Sequence, residues 1–299
     1  DQVIARGLSG ACTAPEPPMW LGGSFARISP SHAYLYLLFG TNRPNTAAVT
    51  AQLAFAQAKG FRSIGLLTPD NAIALQTFEN TKRLAPKFGL NVVAAETFPL
   101  TAPDVAAQLT KVASAKPDAL VIWGTAQPLG VIMRGIRDSR VEIPQVVVAD
   151  ESLHPGLNET VPAEVQNRLS IVLPRSGAID LGDVAAKKFD EAIGRLGGFG
   201  GSVSSAQIMH DGLPTARYGF EQAKGFDAQA AKRAIESMEA AGSLPQYWVQ
   251  YPDGPRFSSA AHNTANARYG DAFWAVAHGP FEFRDGLIRA TKLDFSIPR

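Results

Sequence analysis

A chain of 299 residues is long enough for two compact lobes of ordinary domain size, and 45 % hydrophobic with 18 % charged residues is a globular composition, not a disordered one. Its 28 basic and 27 acidic residues leave a formal charge of +1 with no basic stripe, which excludes nucleic acid as a natural partner. Apolar runs are broken within about ten residues, so a bilayer-spanning helix of about 20 is excluded and a soluble chain is expected.

The chain opens on a short apolar strand at Val3–Ala5, followed by Gly7-Leu8-Ser9-Gly10-Ala11-Cys12-Thr13 and then Ala14–Pro18. Backbone N–H groups at a helix start, helped by Ser and Thr hydroxyls, make a ready carboxylate site. Gly10, Ala11, Cys12 and Thr13 are the candidates; an ordinary Gly-rich turn is the competing reading. A nucleophile elbow would be G-x-S-x-G, and Ala11 takes its last glycine. Further on, Ser31 and His32 follow Ser29-Pro30 at a strand end, where open α/β sheets bind ligands. A His32 without ligand role competes with that reading.

From Asn45 the chain alternates helix and strand. Asn45–Lys59 reads as a helix capped by Asn45 and stopped at Gly60. Arg62–Thr68, Asn91–Ala95, Asp118–Trp123, Gln145–Ala149 and Arg168–Leu173 are aliphatic runs without strict alternation. Strands buried on both faces of a parallel sheet look like this. Between them Asn71–Phe88, Asp104–Ala115 and Pro128–Ser139 read as helices, with Pro86 expected to kink or tighten the end of the first. The alternation predicts a doubly wound α/β sheet built by right-handed crossovers. At its strand-to-helix crossings, Trp123 reads as core packing or cleft edge, and Thr125 as the better ligand candidate. Asp150 and Glu151 close the strand Gln145–Ala149; packing does not need two carboxylates there, although a solvated loop pair also fits.

The last third changes character. Asp183–Leu196, Ser204–Lys224 and Asp227–Ala241 read as helices. In the second, Ala206, Met209, Leu213, Ala216, Phe220 and Ala223 recur at spacings of three and four. Short strands at Gln246–Gln250, Ala272–Ala277 and Phe281–Phe283 follow, with a turn at Arg284-Asp285-Gly286. The chain therefore leaves one sheet and later returns. Cys12 is the one cysteine, so no intrachain disulfide forms, and the five histidines (His32, His154, His210, His262 and His278) show no metal-ligand spacing. No metal or other cofactor is expected, and Asn158-Glu159-Thr160 is a formal glycosylation sequon.

Taken in order, several segments resemble the type I periplasmic binding proteins of the branched-chain amino acid and amide group. GFRSIGLLTPDNAIA (60–74) resembles the stretch where a strand enters an Asp-Asn-Ala-Tyr-Gly turn. Residues 96–152 follow the family's course of strand, helix, Lys-Pro-Asp-Ala, strand, helix and strand. GLSGACTAPEPP (7–18), RISPSHA (27–33) and residues 257–286 resemble its Gly-rich loop, its Ile-Ser-Pro-Ser strand end and its C-terminal His-Asn segment. The resemblance implies two α/β lobes with a ligand cleft between them, residues 1–44 and 176–245 forming one and 45–175 and 246–299 the other. It also implies crossovers near Asn42–Asn45, Arg175–Ala178 and Gly242–Gln246, about which the lobes close on a ligand.

The functional expectation is the extracytoplasmic solute-binding component of an ABC importer, not an enzyme. It would bind a small carboxylate-bearing ligand (amino acid, amide or aromatic acid), be a monomer, and engage a membrane permease. It would be periplasmic or extracellular, its signal peptide already removed. By resemblance, residues 10–13 and Ser31 hold a carboxylate, His32 and Thr125 line the site, and Glu151, with Asp150, grips an ammonium group. Ile73 stands where the family keeps a tyrosine, so an aromatic or hydroxyl contact is lost. The family's opening β-α-β unit has no counterpart ahead of Gly7, so the sheet carrying Val3–Ala5 and Ile28–Pro30 is expected to lack a central strand or receive one from another chain. A ligand-sensing regulator of the same fold is the alternative reading. A Rossmann-like enzyme is disfavoured, because no G-x-G-x-x-G with a following acidic residue is present.

Overall fold

In the computed structural model the described residues are 19–21, 35–38, 46–123, 126–149, 161–174, 176, 184–198, 203–245, 247–249, 251, 254–262, 274–284 and 287–294. Their strands are β1 Met19–Leu21, β2 Leu35–Leu37, β3 Ser63–Pro69, β4 Asn91–Phe98, β5 Ala119–Ile122 and β6 Val146–Ala149. The later strands are β7 Leu169–Pro174, β8 Trp274–Arg284 and β9 Leu287–Asp294. The helices are α1 Thr46–Ala58, α2 Ala72–Leu84, α3 Ala106–Ser114, α4 Ala126–Ser139 and α5 Ala163–Gln166. They continue as α6 Val184–Arg195, α7 Val203–Ala223 and α8 Ala228–Glu236.

The chain divides into two compact units, one of residues 1–45, 183–189 and 205–269 and the other of 46–182, 190–204 and 270–299. The sequence reading placed residues 246–269 in the second lobe; in the structure they belong to the first unit, for a reason given below.

In the larger unit the strand order is β4-β3-β5-β6-β7-β8-β9, parallel from β4 to β7 and closed by the antiparallel pair β8 and β9. Every residue of β5 and β6 is buried, which is why these strands read as unbroken apolar runs. Leu120, Ile122, Val146 and Val148 face a core under α3, α4 and α5, where Val105, Leu109, Ile132, Met133 and Val165 meet them. Ala119, Val121 and Val147 face the opposite core under α1 and α2, with Leu53, Phe55, Phe78 and Leu84. Helices on both faces make this the doubly wound α/β arrangement expected.

Local chemistry sets the element ends. Asn71 caps α2 by accepting from the Ala74 N–H at 3.0 Å. The helix then tightens into a 3₁₀ turn at Ala85–Phe88 around Pro86, ending in a left-handed Gly89 with φ 68. At the N-terminal ends of β3 and β5, Oδ2 of Asp118 accepts from the N–H groups of Arg62 and Ser63, both at 2.8 Å, and from the Ser63 hydroxyl at 3.0 Å. These bonds, the Arg62 N–H first, hold the Asp118 carboxyl below its ordinary pKa. One strand was not foreseen: the chain beyond the 284–286 turn pairs back as β9, and β8 runs unbroken where two short strands were expected.

In the smaller unit β1 and β2 pair in parallel; the strands expected at Val3–Ala5 and Ile28–Pro30 lie outside the described residues. Helix α7 reverses expectation. Met209 and Leu213, on the apolar stripe, are 63 % and 72 % exposed, whereas Gln207, Asp211 and Thr215 are fully buried. The cause is the segment around Trp248. Expected as a strand, its described residues 247–249 form none, so its N–H groups need other acceptors. Asp211 accepts from Val249 N–H at 2.7 Å and Tyr251 N–H at 3.2 Å, and the Trp248 indole donates to Thr215 Oγ1 at 2.9 Å. Polar side chains on α7 therefore turn inward, and they draw residues 247–251 into this unit. Nearby, His262 stacks on Tyr36 at 4.4 Å and its Nε2 lies 2.8 Å from Glu236 Oε1, to which Lys232 also donates.

Candidate functional site

Strand order reverses between β3 and β5. From β3 the chain turns through α2, on the α1 side of the sheet, out to β4; from β5 it turns through α4, on the other side, to β6. Helices α2 and α4 therefore lie on opposite faces of the sheet beyond neighbouring strands, the topological switch point at which open α/β sheets bind ligands. Two helices of 13 and 14 residues, α2 and α4, begin at this edge. Their N-terminal dipole ends, each equivalent to about half a positive charge, belong to this edge.

Described side chains at the edge are few and well fixed. Thr68, 1 % exposed, donates from Oγ1 to the carbonyl oxygen of Trp123 at 2.7 Å, bridging the ends of β3 and β5. Asp70 turns away toward the end of β4, accepting from Leu100 N–H at 3.0 Å. Trp123 packs against the α1–α2 core yet stays partly exposed, following four β5 residues that are all buried.

Of the sequence candidates, Gly10, Ala11, Cys12, Thr13, Ser31, His32, Thr125, Asp150 and Glu151 lie outside the described residues. Ile73 is the second residue of α2, directly beyond the end of β3. Thr125 falls in the connection from β5 to α4, and Asp150 and Glu151 follow β6, so the strands leading to all three sets end on one edge. Sequence reading quoted the stretch that holds Thr68 and Asp70 but singled out neither, because only the pairing of remote strands gives them these partners.

Elsewhere, Ser170 and His278 form a hydrogen-bonded pair at 2.8 Å, and Gln145 Nε2 donates to the Ser170 hydroxyl at 2.9 Å. Ser170 is fully buried on the β7–β8 pairing, a packing role and not a nucleophile's. Among the described residues no group of three side chains is placed to hold a metal, and no helix is long and apolar enough to cross a membrane.

A mostly parallel, doubly wound sheet with a topological switch point makes this a doubly wound α/β protein. The periplasmic binding protein family matches residues 18–270, and the chain belongs to it. Its members and structural neighbours are solute-binding proteins, not enzymes. A type 1 periplasmic binding protein from Bordetella pertussis Tohama I superposes with TM-score 0.66 at 18 % identity, over 88 % of this chain and 68 % of that one. An ABC transporter solute-binding protein from Rhodopseudomonas palustris in complex with benzoate gives 0.66 at 14 %, over 97 % and 73 %. A branched-chain amino acid ABC transporter protein from Thermus thermophilus with bound valine gives 0.64 at 15 %, over 89 % and 68 %. At such identities the likeness is one of fold. A search of curated proteins found no match.

Proposed function

We propose that this protein is the extracytoplasmic solute-binding component of an ABC importer and takes a small carboxylate-bearing solute, which it delivers to a membrane permease. The observation that carries the reading is the reversal of strand order between β3 and β5, with α2 and α4 starting at the same edge. Positive dipole ends favour an anionic group there, and partly buried donors hold it better than exposed ones. Family membership and neighbours named for benzoate and valine support the same reading. Residues 10–13 with Ser31 supply carboxylate donors in this scheme, His32, Ile73 and Thr125 line the solute, and Glu151, with Asp150, takes an ammonium group.

Calorimetry with leucine, valine, benzoate and phenylglyoxylate tests it. One or more should bind at about −8 kcal/mol or better. The bound solute should raise stability by about 2.7 kcal/mol at a concentration of about 100 Kd. Absence of binding across the panel, with a cooperatively folded protein, rejects the reading.

A further inference from the structure

We infer that Gln52 makes α1 a built-in point of local opening in the larger unit, so that this helix loosens from the sheet before the sheet itself unfolds. Its ground is a side chain whose chemistry is at odds with its surroundings. Of residues 48–56 all but Thr50 are buried, so α1 is covered on nearly every side. It packs on β6, β7, α2 and the 3₁₀ turn, with Val49, Leu53 and Phe55 in the core that holds Val147, Val172 and Val276. Gln52 lies among these residues, 1 % exposed. Neither its Oε1 nor its Nε2 has a hydrogen-bond partner among the described residues.

A buried glutamine is not bound to be stranded in this fold. Gln166, buried in the same unit, donates from Nε2 to the Val161 carbonyl at 3.1 Å and accepts from the Phe281 N–H at 3.4 Å. Thr68, Thr81 and Ser170, also buried there, each have a hydrogen bond. The Gln52 amide, which makes about four hydrogen bonds in water, forgoes them when α1 is packed. Water restores them once α1 lifts away, so the packed state is penalised and the opened one is not. A leucine in the same place would favour the packed state instead. Position gives the opening a use. The chain passes from the smaller unit to the larger between Asn45 and Thr46, and α1 is the first element after that passage. A helix that loosens there gives the passage slack while β5 and β6, buried throughout, stay intact.

Native-state hydrogen exchange and thermal melts on the full chain test this, with wild type, Gln52→Leu and Gln52→Met. In wild type the amides of residues 50–58 should exchange about tenfold or more faster than those of β5 and β6, at a rate that low denaturant barely changes. Both substitutions should slow α1 exchange by about tenfold and raise the melting temperature by about 2–4 °C. Gln52→Met keeps an unbranched chain of similar volume, so it decides the matter where the branching of leucine disturbs the packing. Exchange of α1 together with β5 and β6 in one global class in wild type overturns the inference. A Gln52→Met protein no more stable than wild type, or one whose α1 exchanges as fast, overturns it as well.

Discussion

Thr68 and Trp123 are joined across the boundary where the sheet reverses, the Thr68 hydroxyl donating to the Trp123 carbonyl at 2.7 Å in a position almost closed to solvent. The bond ties the end of β3 to the residue that follows β5. Thr68→Val keeps the shape and removes the donor. It should cost about 1–2 kcal/mol in urea denaturation and weaken solute binding measurably. An unchanged denaturation midpoint with unchanged affinity would show that the bond positions nothing.

Asp118 works at the other end of the same two strands. Its folded pKa lies below the unfolded value of about 3.9, so its contribution is fully present above that value and is lost as pH falls through the folded one. Asp118→Asn should therefore be less stable than wild type at neutral pH. The gap should narrow only below about pH 4, as the wild-type carboxylate takes up its proton. Denaturation midpoints for both proteins between neutral pH and the acid limit check the sign; a gap that widens on acidification contradicts it.

The inverted helix α7 makes a paired prediction. Asp211→Ala strands the buried N–H groups of Val249 and Tyr251 and should destabilise the protein by about 3 kcal/mol or more. Leu213→Ser, on the 72 % exposed face, should change stability by no more than about 0.5 kcal/mol. Thermal melts of the two variants decide it; the reverse ranking would mean that the apolar stripe faces the core after all.

At Gly279 a Cβ would sit 2.1 Å from the carbonyl oxygen of Gln166 and 2.8 Å from its carbon, both backbone atoms that cannot step aside. Gly279→Ala should cost about 3 kcal/mol or more, through displacement of β8 from α5. Gly225→Ala, with open space around its Cβ, serves as control and should stay within about 1 kcal/mol of wild type. Equal melting temperatures for the two variants would refute the close approach.

Glu151 separates solute classes. A zwitterionic amino acid needs an anion for its ammonium group, so Glu151→Gln should weaken leucine or valine by about 2–5 kcal/mol. Benzoate and phenylglyoxylate carry no ammonium and should bind the variant as well as wild type or slightly better. Calorimetry on both proteins reads the difference; if an amino acid is the preferred solute and the substitution costs it nothing, the ammonium site lies elsewhere.

The larger unit was legible in the sequence because its determinants are local. Runs such as Ala119–Ile122 and Val146–Ala149 are apolar throughout, since a strand covered on both faces has no polar side to show. Asn71, Pro86 and Gly89 announced their helix ends through side-chain and backbone chemistry reaching only a few residues. The order of the β-α units also named the edge on which Ile73, Thr125 and Glu151 were sought. Tertiary structure alone decided the rest. Which face of α7 is buried depends on Asp211 meeting N–H groups about forty residues away, and no periodicity in Val203–Ala223 encodes a partner so distant. The placement of residues 246–269, the pairing of β9 and the Thr68 bond to Trp123 have the same origin. Each satisfies a backbone group whose need arises only once remote segments have packed together.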